Sequence, residues 1–326
     1  MPHATTPTGD PQLITIIGGS GLVGSHLVHK LARQGFRMRI GVRRPDLAGH
    51  LLPLGSVGQI ALVQVNVRNA PSVARAVEGA SCVINLAGIW YETGRQRFRA
   101  VHTRGAQNVA KAAAAAGVPS LIHMSELGAD AQSASADLVS RALGDQAVRE
   151  AFPRAIILRP GAMFGENDQF FTRFGTWAQM FPVMPVIGAD HRQQPVFVVD
   201  VAEAVARAVN GRVRAGRIYE LGGADVRTMS ELIDLTLDVT RRNRIRLKVP
   251  ASLARFKASF VQWVPNPWLT VDLVNRWNSD MIVSQEAVAD RRTLAAFGIE
   301  PETMDAILPT YMWRFRPHGQ FEPVKA

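Results

Sequence analysis

The chain has 326 residues, a formal net charge of +10, 47% hydrophobic residues and a single cysteine, Cys82. This composition is that of a globular protein with a substantial core, and one cysteine excludes an intrachain disulfide and a cysteine-rich metal site. No run of eighteen apolar residues is present, so we expect no transmembrane helix, and the Pro- and Thr-rich residues 1–11 predict a flexible tail that is neither a secretory signal nor a transit peptide.

The first predicted element is a buried strand, Leu13–Ile17, which leads directly into a glycine-rich loop. A helical pattern over residues 25–33 follows and is ended by Gly35. This order is typical of a dinucleotide site, because glycines let the backbone approach a pyrophosphate and the helix N-terminus offers free N–H groups. We therefore predict that the nucleotide contacts the loop residues Gly18, Gly19, Ser20, Gly21, Leu22, Val23 and Gly24.

The next predicted strand, residues 36–42, is followed by two arginines, Arg43 and Arg44. At this position, about twenty residues past the loop, an NAD site has an Asp or Glu that bonds the ribose hydroxyls. A carboxylate would repel a 2′-phosphate, whereas an arginine pairs with it through charge-assisted hydrogen bonds. The sequence therefore favours NADP(H) over NAD(H); the alternative is that both arginines simply belong to a solvated strand end.

Strands and helices then alternate along the chain. Predicted strands at residues 60–65, 81–87, 120–124 and 155–158 are separated by helical segments. Such alternation indicates an α/β fold with a Rossmann-type doubly wound parallel sheet, which binds its ligand at the carboxyl ends of the strands. The residues at these ends that we expect to contact the nucleotide are Asn66, Val67, Leu86, Ala87, Gly88, Ser125 and Pro160.

We expect two domains after the tail. Residues 12–225 form the nucleotide-binding Rossmann domain, and residues 226–326 form a smaller, mainly helical C-terminal cap that begins with a capping-box pattern at Thr228. The histidines are scattered without metal-ligand spacing, so no metal site is expected.

The basic segment, residues 240–271, contains seven Lys or Arg residues and no acidic residue. Within it, one face of a predicted helix carries Leu253, Phe256, Phe260 and Trp263. A basic helix with tryptophans and bulky apolar residues is typical of contact with an anionic membrane surface or an acidic partner protein. A core-facing helix with a solvated basic side is an equal alternative. The aromatic pattern does not indicate binding of nucleic acid.

Several motifs, taken in chain order, have a common resemblance. They resemble those of an extended or atypical short-chain dehydrogenase and comprise the glycine loop, residues 85–88, Asn108, Ser125, Arg159-Pro160, Phe164-Gly165 and residues 195–202. The resemblance implies a catalytic tyrosine four residues before a lysine that lowers the pKa of the phenol and holds the ribose, with a serine that orients the substrate oxygen.

The tyrosine and lysine of that catalytic pair are missing. None of the three tyrosines has a lysine four residues later, and the matching positions in the helix after Ser125 hold Asp137 and Arg141. An ionised aspartate cannot replace a phenol, whereas Arg141 can still hold a ribose hydroxyl or a phosphate. We therefore expect no catalytic residue and regard Ser125, Asp137 and Arg141 as degenerate positions of the catalytic site. Ser125 and Arg141 are also expected to contact the cofactor.

A narrower resemblance runs nearly from end to end. The chain resembles the short-chain-dehydrogenase-like accessory subunits of respiratory complex I and their bacterial relatives in residues 53–59, 83–86, 122–125, 149–153, 164–168 and 194–201, in the Pro267-Trp268 loop and in Trp313-Arg314. This resemblance implies bound NADPH with a structural or sensing role and partners among the complex I subunits near the quinone site. It also implies a peripheral position on the cytoplasmic side of the bacterial inner membrane, in contact with the anionic surface.

The expected function is thus that of an NADP(H)-binding, non-catalytic accessory subunit or assembly factor of complex I. The alternative is an active NAD(P)H-dependent reductase, epimerase or dehydratase. Such an enzyme would act on a small hydrophobic or quinone-like substrate with Ser125 and an unusual acid.

Overall fold

A computed structural model describes residues 12–319, so the tail predicted over residues 1–11 lies outside the described part of the chain. The strands of this part are β1 (Leu13–Ile17), β2 (Arg37–Val42), β3 (Ile60–Gln64), β4 (Cys82–Asn85), β5 (Ser120–Met124), β6 (Ile156–Pro160), β7 (Met163–Phe164), β8 (Val183–Ile187), β9 (Arg192–Gln193), β10 (Val196–Phe197), β11 (Ile218–Leu221), β12 (Arg227–Thr228) and β13 (Ile245–Val249). Seven of them form one sheet in the order β11-β6-β5-β4-β1-β2-β3, and all of its pairings are parallel.

Helices connect the strands of the sheet and make up most of the C-terminal region. They are α1 (Leu22–Arg33), α2 (Ala70–Val77), α3 (Arg104–Ala115), α4 (Ala136–Ala151), α5 (Phe171–Met180), α6 (Val198–Val209), α7 (Met229–Val239), α8 (Ala251–Val261), α9 (Val271–Trp277), α10 (Gln285–Ala289) and α11 (Met304–Met312). A π-helical turn, Arg99–Thr103, leads directly into α3. The C-terminal region is therefore mainly helical, with two short strands.

Both faces of the sheet are buried under helices. Ile14 and Ile16 of β1 pack on one face in a cluster with α1 and α6, whereas Ile17 and Val83 pack on the other face in a cluster with α2 and α3. Strands buried on both faces are the reason for the nearly continuous apolar runs in the sequence. The predicted doubly wound Rossmann-type fold is confirmed, and its parallel strands present their carboxyl ends at one edge.

The C-terminal region shares its hydrophobic core with residues that precede it. A third cluster joins Phe171 and Phe174 of α5 to Met229 and Leu232 of α7, while Phe297 packs back against the first cluster of the Rossmann sheet. The capping box is present: the Thr228 side chain accepts from the Glu231 N–H and the Glu231 carboxylate accepts from the Thr228 N–H. The division at residues 225 and 226 into two domains stays a prediction.

Helix α8 of the basic segment buries alanines instead of its aromatic face. Ala254 and Ala258 are at most 1% exposed, whereas Phe256, Phe260 and Trp263 are 64%, 67% and 81% exposed. The alternative of a core-facing aromatic side is therefore wrong for this helix. Among residues 12–319, no helix combines the length and the apolar character that crossing a membrane requires.

Candidate functional site: a dinucleotide cavity beside a buried charge cluster

Two adjacent cavities lie at the carboxyl ends of the sheet strands. The larger, about 460 Å³, is lined among others by Gly18, Ser20, Gly21, Leu22, Val23, Gly24, Leu86, Ala87, Gly88, Ser125, Arg141 and Pro160. The smaller, about 220 Å³, shares the glycine loop and adds Arg43, Asn66 and Val67. The structure therefore brings together every predicted cofactor residue except Gly19 and Arg44.

The glycine loop is shaped by close backbone packing. Gly18 has φ +85°, and a Cβ at this position would lie 2.9 Å from the backbone nitrogen of Ala87 after β4. A Cβ at Gly19 would lie 2.7 Å from the Ile40 side chain on the neighbouring strand, so Gly19 serves packing and not the cavity wall. A side chain at Gly18 or Gly19 would therefore collide with the neighbouring strands, and the loop backbone borders the cavity directly.

The N-terminus of α1 faces the same space. Its N-cap, Gly21, makes no side-chain capping hydrogen bond, and the first turn has no acidic residue. The N–H groups of a first turn and the helix dipole together favour an anion. This end of the cavity therefore fits the pyrophosphate of a dinucleotide.

The two arginines after β2 have different surroundings. Arg43 lines the smaller cavity together with Asn66 and Val67. Arg44 instead forms an ion pair with Asp46, with 2.9 Å between its guanidinium nitrogen and the carboxylate oxygen. Arg43 thus borders the cavity, whereas Arg44 is placed against Asp46.

At the other end of the larger cavity, Ser125 and Arg141 lie next to each other. The Ser125 side chain is 3% exposed, and its buried Oγ has no hydrogen-bond partner in the part of the chain that the structure describes. Arg141 donates to the Ser125 carbonyl oxygen at 3.5 Å. An unpaired buried hydroxyl costs free energy unless something binds it, so a polar ligand group at Ser125 fits this wall.

Arg141 belongs to a buried charge cluster formed by Glu126, Asp137, Arg141 and Arg276. Its Nε lies 2.8 Å from Oδ1 of Asp137 and 3.0 Å from Oε2 of Glu126. Arg276 of α9 pairs with Oδ2 of Asp137 at 3.0 Å and with the second oxygen of Glu126. All four side chains are largely or fully buried.

His102 of the π-helical turn completes the surroundings of Asp137. The Ile89 N–H donates to His102 Nε2 at 3.0 Å, so the proton of the neutral ring is on Nδ1, which lies 2.9 Å from Oδ1 of Asp137. Burial lowers the pKa of His102 to about 4, and the nearby Arg141 acts in the same direction. His102 is therefore neutral at physiological pH, and its Nδ1–H group donates a hydrogen bond to the Asp137 carboxylate.

Asp137 is unsuited to donate a proton. Burial favours its neutral form, but Arg141 and His102 outweigh burial and hold the pKa of Asp137 below its ordinary value. The three tyrosines, all in the described part of the chain, lie elsewhere: Tyr91 donates to Asn266, Tyr219 to the Arg214 carbonyl and Tyr311 to Asp168. Where the resemblance implied a catalytic pair, the site therefore has an ionised acid enclosed by cations.

The space beside this end of the cavity is filled with side chains. Trp90, Arg276 and Trp277 border a void of only about 20 Å³. Arg276 lies over the Trp90 ring, with 5.4 Å between the guanidinium carbon and the ring centroid. A ligand pocket is usually about 300–1,000 Å³ and a water needs about 10–15 Å³, so this void has the size of a water and not of a substrate.

Sequence reasoning missed Glu126, His102 and Arg276 as parts of the site. Glu126 follows Ser125 and was detectable as a polar residue at the end of β5. Arg276 is 139 positions from Asp137, and no local pattern links them. Arg276 directly precedes Trp277, and a basic residue beside an apolar one is typical of an ordinary amphipathic helix.

Comparisons with known proteins agree with this site. Residues 18–171 match a family described as NAD(P)H-binding. The chain is 30% identical, over 93% of its length and 82% of the relative's, to the NADH dehydrogenase [ubiquinone] 1 alpha subcomplex subunit 9, mitochondrial, of Rattus norvegicus. It is 32% identical, over 58% of each protein, to a ceramide reductase of Caulobacter vibrioides.

The fold also resembles solved structures. One is that of the NADPH-dependent quinone oxidoreductase QOR2 of Escherichia coli complexed with NADPH, with a TM-score of 0.70 and 19% identity over 92% of this chain and 98% of that one. Fold and cavity thus define an NAD(P)H-binding protein of the short-chain-dehydrogenase type. Within that class, the chain belongs to the family of alpha subcomplex subunit 9 of complex I.

The positions of the two arginines generate a prediction about nucleotide choice. Arg43→Ala is expected to weaken NADPH binding by about tenfold or more, because a charge-assisted hydrogen bond contributes about 1.5–3 kcal/mol, and to leave NADH binding nearly unchanged. Arg44→Ala is the matched control, since it removes the same charge beside Asp46. Isothermal titration of each variant with both nucleotides measures the effect. Equal losses in the two variants would refute the assignment of Arg43.

His102 generates a prediction about pH. Because its folded pKa of about 4 lies below the ordinary 6.5, the unfolded chain binds the extra proton between these values and stability falls as the pH falls through that window. The full loss is on the order of 3 kcal/mol. His102→Asn removes this titration but keeps a donor for Asp137. Urea unfolding at pH 7 and pH 4.5 should show a smaller difference for the variant than for wild type, and equal differences would contradict the prediction.

Proposed function

We propose that this protein is an NADP(H)-binding, non-catalytic accessory subunit or assembly factor of respiratory complex I. The observation that carries the proposal is the pairing of a complete dinucleotide cavity with a closed acid/base position. The glycine loop and Ser125 retain the features that bind a nucleotide, while Asp137 is locked in ion pairs. Membership of the subunit 9 family supports the complex I assignment.

Each end of the cavity has a role in this proposal. The first turn of α1 and the backbone of the glycine loop hold the pyrophosphate, and Arg43 holds the 2′-phosphate. Ser125 and Arg141 hold polar groups of the nicotinamide half. Bound NADPH can supply a hydride, but at the acid/base position beside this end the chain has Asp137, whose carboxylate is fixed in ion pairs with Arg141 and Arg276. The nucleotide is therefore held as a structural or sensing ligand.

The exposed face of α8 and the loop that follows it form the candidate docking surface. We define the docking face as Phe256, Phe260, Trp263 and Trp268, which are between 44% and 81% exposed. Side chains of this size are unusual as a group on a free surface and mark contact sites. The docking face belongs to the same segment as Lys257, which is also exposed and lies in a stretch without acidic residues.

An anionic bilayer surface is the occupant that these features favour. Tryptophan and phenylalanine insert at the level of the headgroups, and each nearby cation adds about 1 kcal/mol of attraction to anionic lipid. Several cations of the segment are engaged within the protein, such as Arg246 with Asp234 and Lys248 with Asp190. Docking therefore depends more on the aromatic side chains than on the number of arginines. We place the protein on the cytoplasmic side of the bacterial inner membrane, near the quinone module.

The second candidate function is an active NAD(P)H-dependent reductase of a hydrophobic substrate. The similarity to a ceramide reductase over 58% of the chain and the unpaired hydroxyl of Ser125 favour it. Against it stands the acid/base position, where Asp137 is held in ion pairs with Arg141 and Arg276. The two functions differ in whether reducing equivalents leave the bound nucleotide.

A first test concerns turnover. NADPH is expected to remain bound through purification in a one-to-one ratio and to stay reduced when quinones or long-chain ketones are added, because Asp137 cannot donate a proton. Absorbance at 340 nm measures oxidation. A second experiment compares wild type with Ser125→Ala. If wild type oxidises NADPH and this variant does not, the protein is a reductase and the accessory role is rejected.

A second test concerns docking. Wild-type protein is expected to sediment with vesicles containing anionic phosphatidylglycerol and much less with neutral vesicles, and raising the salt concentration should weaken the interaction. Phe260→Ser with Trp263→Ser should weaken the sedimentation by about tenfold or more, since burying each side chain contributes about 1.5–3 kcal/mol.

The matched control for docking removes equally exposed apolar residues elsewhere. Leu47→Ser with Val288→Ser replaces side chains that are 64% and 59% exposed and lie outside the basic segment. This control should sediment like wild type. If both double variants behave alike, or if only purified complex I and no vesicle retains the protein, the docking face does not bind lipid.

A further inference from the structure

Helix α9 connects the docking face to the wall of the nucleotide cavity. It follows α8 through the loop at residues 262–270 and packs at the N-terminus of α4 through three side chains. The Asp272 carboxylate accepts a hydrogen bond from Ser135 Oγ at 3.0 Å, and the Asn275 amide donates to the Ala134 carbonyl oxygen at 3.0 Å. The third side chain, Arg276, enters the buried charge cluster.

Arg276 contacts the cavity wall at three points. Its guanidinium pairs with Asp137 and Glu126, the two carboxylates that also fix Arg141. It also lies over the ring of Trp90. Arg141 and Trp90 both line the nucleotide cavity, so a single side chain of α9 holds two of its wall residues.

A second connection runs beside the first. The Tyr91 hydroxyl, next in the chain to Trp90, donates to Oδ1 of Asn266 at 2.6 Å. Asn266 lies in the loop that carries Trp268 of the docking face. The segment after β4, which borders the nucleotide cavity, therefore contacts α9 through Arg276 and the loop before α9 through Asn266.

Helix α8 is held through small side chains, whereas Trp268 of the docking face also packs against the rings of Trp177 and Phe181. The helix packs against the protein through the small side chains of Ala254 and Ala258, while its large side chains face outward. Burial of two alanines contributes little free energy compared with burial of aromatic residues.

The docking face therefore rests in part on α9. Val274 and Trp277 bury α9 in the third hydrophobic cluster, and Arg276 adds the charge cluster, in which an ion pair that loses one partner is strongly destabilising.

We infer that Arg276 couples nucleotide binding to membrane docking. A nucleotide that holds Arg141 and the Trp90 segment in place stabilises the charge cluster, which keeps α9 and the docking face ordered. By linkage, docking tightens nucleotide binding by the same factor. The inference rests on the proposed function, and it adds a regulation that neither the cavity nor the docking face implies alone. Arg276 is a positioning residue in this scheme.

Hydrogen exchange on the intact wild-type protein tests the coupling without any variant. Amides of residues 251–277 are expected to exchange about fivefold or more slowly when saturating NADPH is added to protein stripped of nucleotide. Sedimentation with phosphatidylglycerol vesicles should rise by a similar factor, and NADPH should bind more tightly in the presence of these vesicles. Unchanged exchange and unchanged sedimentation would overturn the coupling.

Two variants locate the coupling. Arg276→Gln is expected to bind NADPH but to show the same vesicle binding with and without it. Arg255→Gln is the control, because it removes the same charge from the exposed side of α8, where Arg255 donates a hydrogen bond to Asn275 at 3.4 Å and takes no part in the charge cluster. It should keep the response of wild type. A full response in Arg276→Gln would overturn the role of Arg276.

The outcomes also separate this inference from the proposed function. If the wild type binds both NADPH and vesicles, but each independently of the other, the accessory role stands and the coupling falls. If it binds no nucleotide or no vesicle, the corresponding part of the proposed function fails, and the coupling fails with it. The wild-type exchange experiment decides the question even if Arg276→Gln does not fold.

Discussion

The arrangement of the site and of helix α9 depends on a buried cluster of two arginines and two carboxylates at the end of the sheet. Taking such charges out of water is costly, and the cost is recovered only while every member is paired. Asp137 and Glu126 each bond to Arg141 and to Arg276. The cluster therefore fixes the first turn of α4, the end of β5 and helix α9 relative to one another. The same cluster encloses the acid/base position and adds a polar anchor to the hydrophobic contacts that hold the C-terminal region.

The sequence predicted those parts of the fold that local patterns determine. The apolar runs of the strands, the glycine loop and the capping box at Thr228 each follow from residues within one element or one turn. These predictions are confirmed because a parallel sheet with buried strands leaves little freedom in how such elements pack. The absence of the catalytic tyrosine and lysine could also be predicted from the sequence, because the two residues would lie within one helix at a fixed spacing.

What the sequence could not predict depends on contacts between distant segments. Arg276 meets Asp137 across 139 positions, and its burial leaves no periodic signal. The orientation of α8 is a second case. Its aromatic stripe is compatible with a core or with a free surface, and the packing of Ala254 and Ala258 decides between them. An alanine face gives a weak hydrophobic signal, so the aromatic residues dominate the pattern although they are the exposed ones.

If the protein holds its nucleotide without turnover, as proposed, the retained cavity has a physical explanation in ligand linkage. A ligand present at about a hundred times its dissociation constant stabilises the folded state by about 2.7 kcal/mol if the unfolded chain does not bind it. This stabilisation requires only that the nucleotide binds, and not that it reacts. Enlarging the void between Trp90 and Arg276, in contrast, requires Arg276 to leave Trp90 and the two carboxylates. Breaking a buried pair costs about 3–5 kcal/mol, so the open arrangement would be populated at less than about 1%. Under the proposed function, the side chain that helps to anchor the docking face is therefore also the one that keeps this void closed.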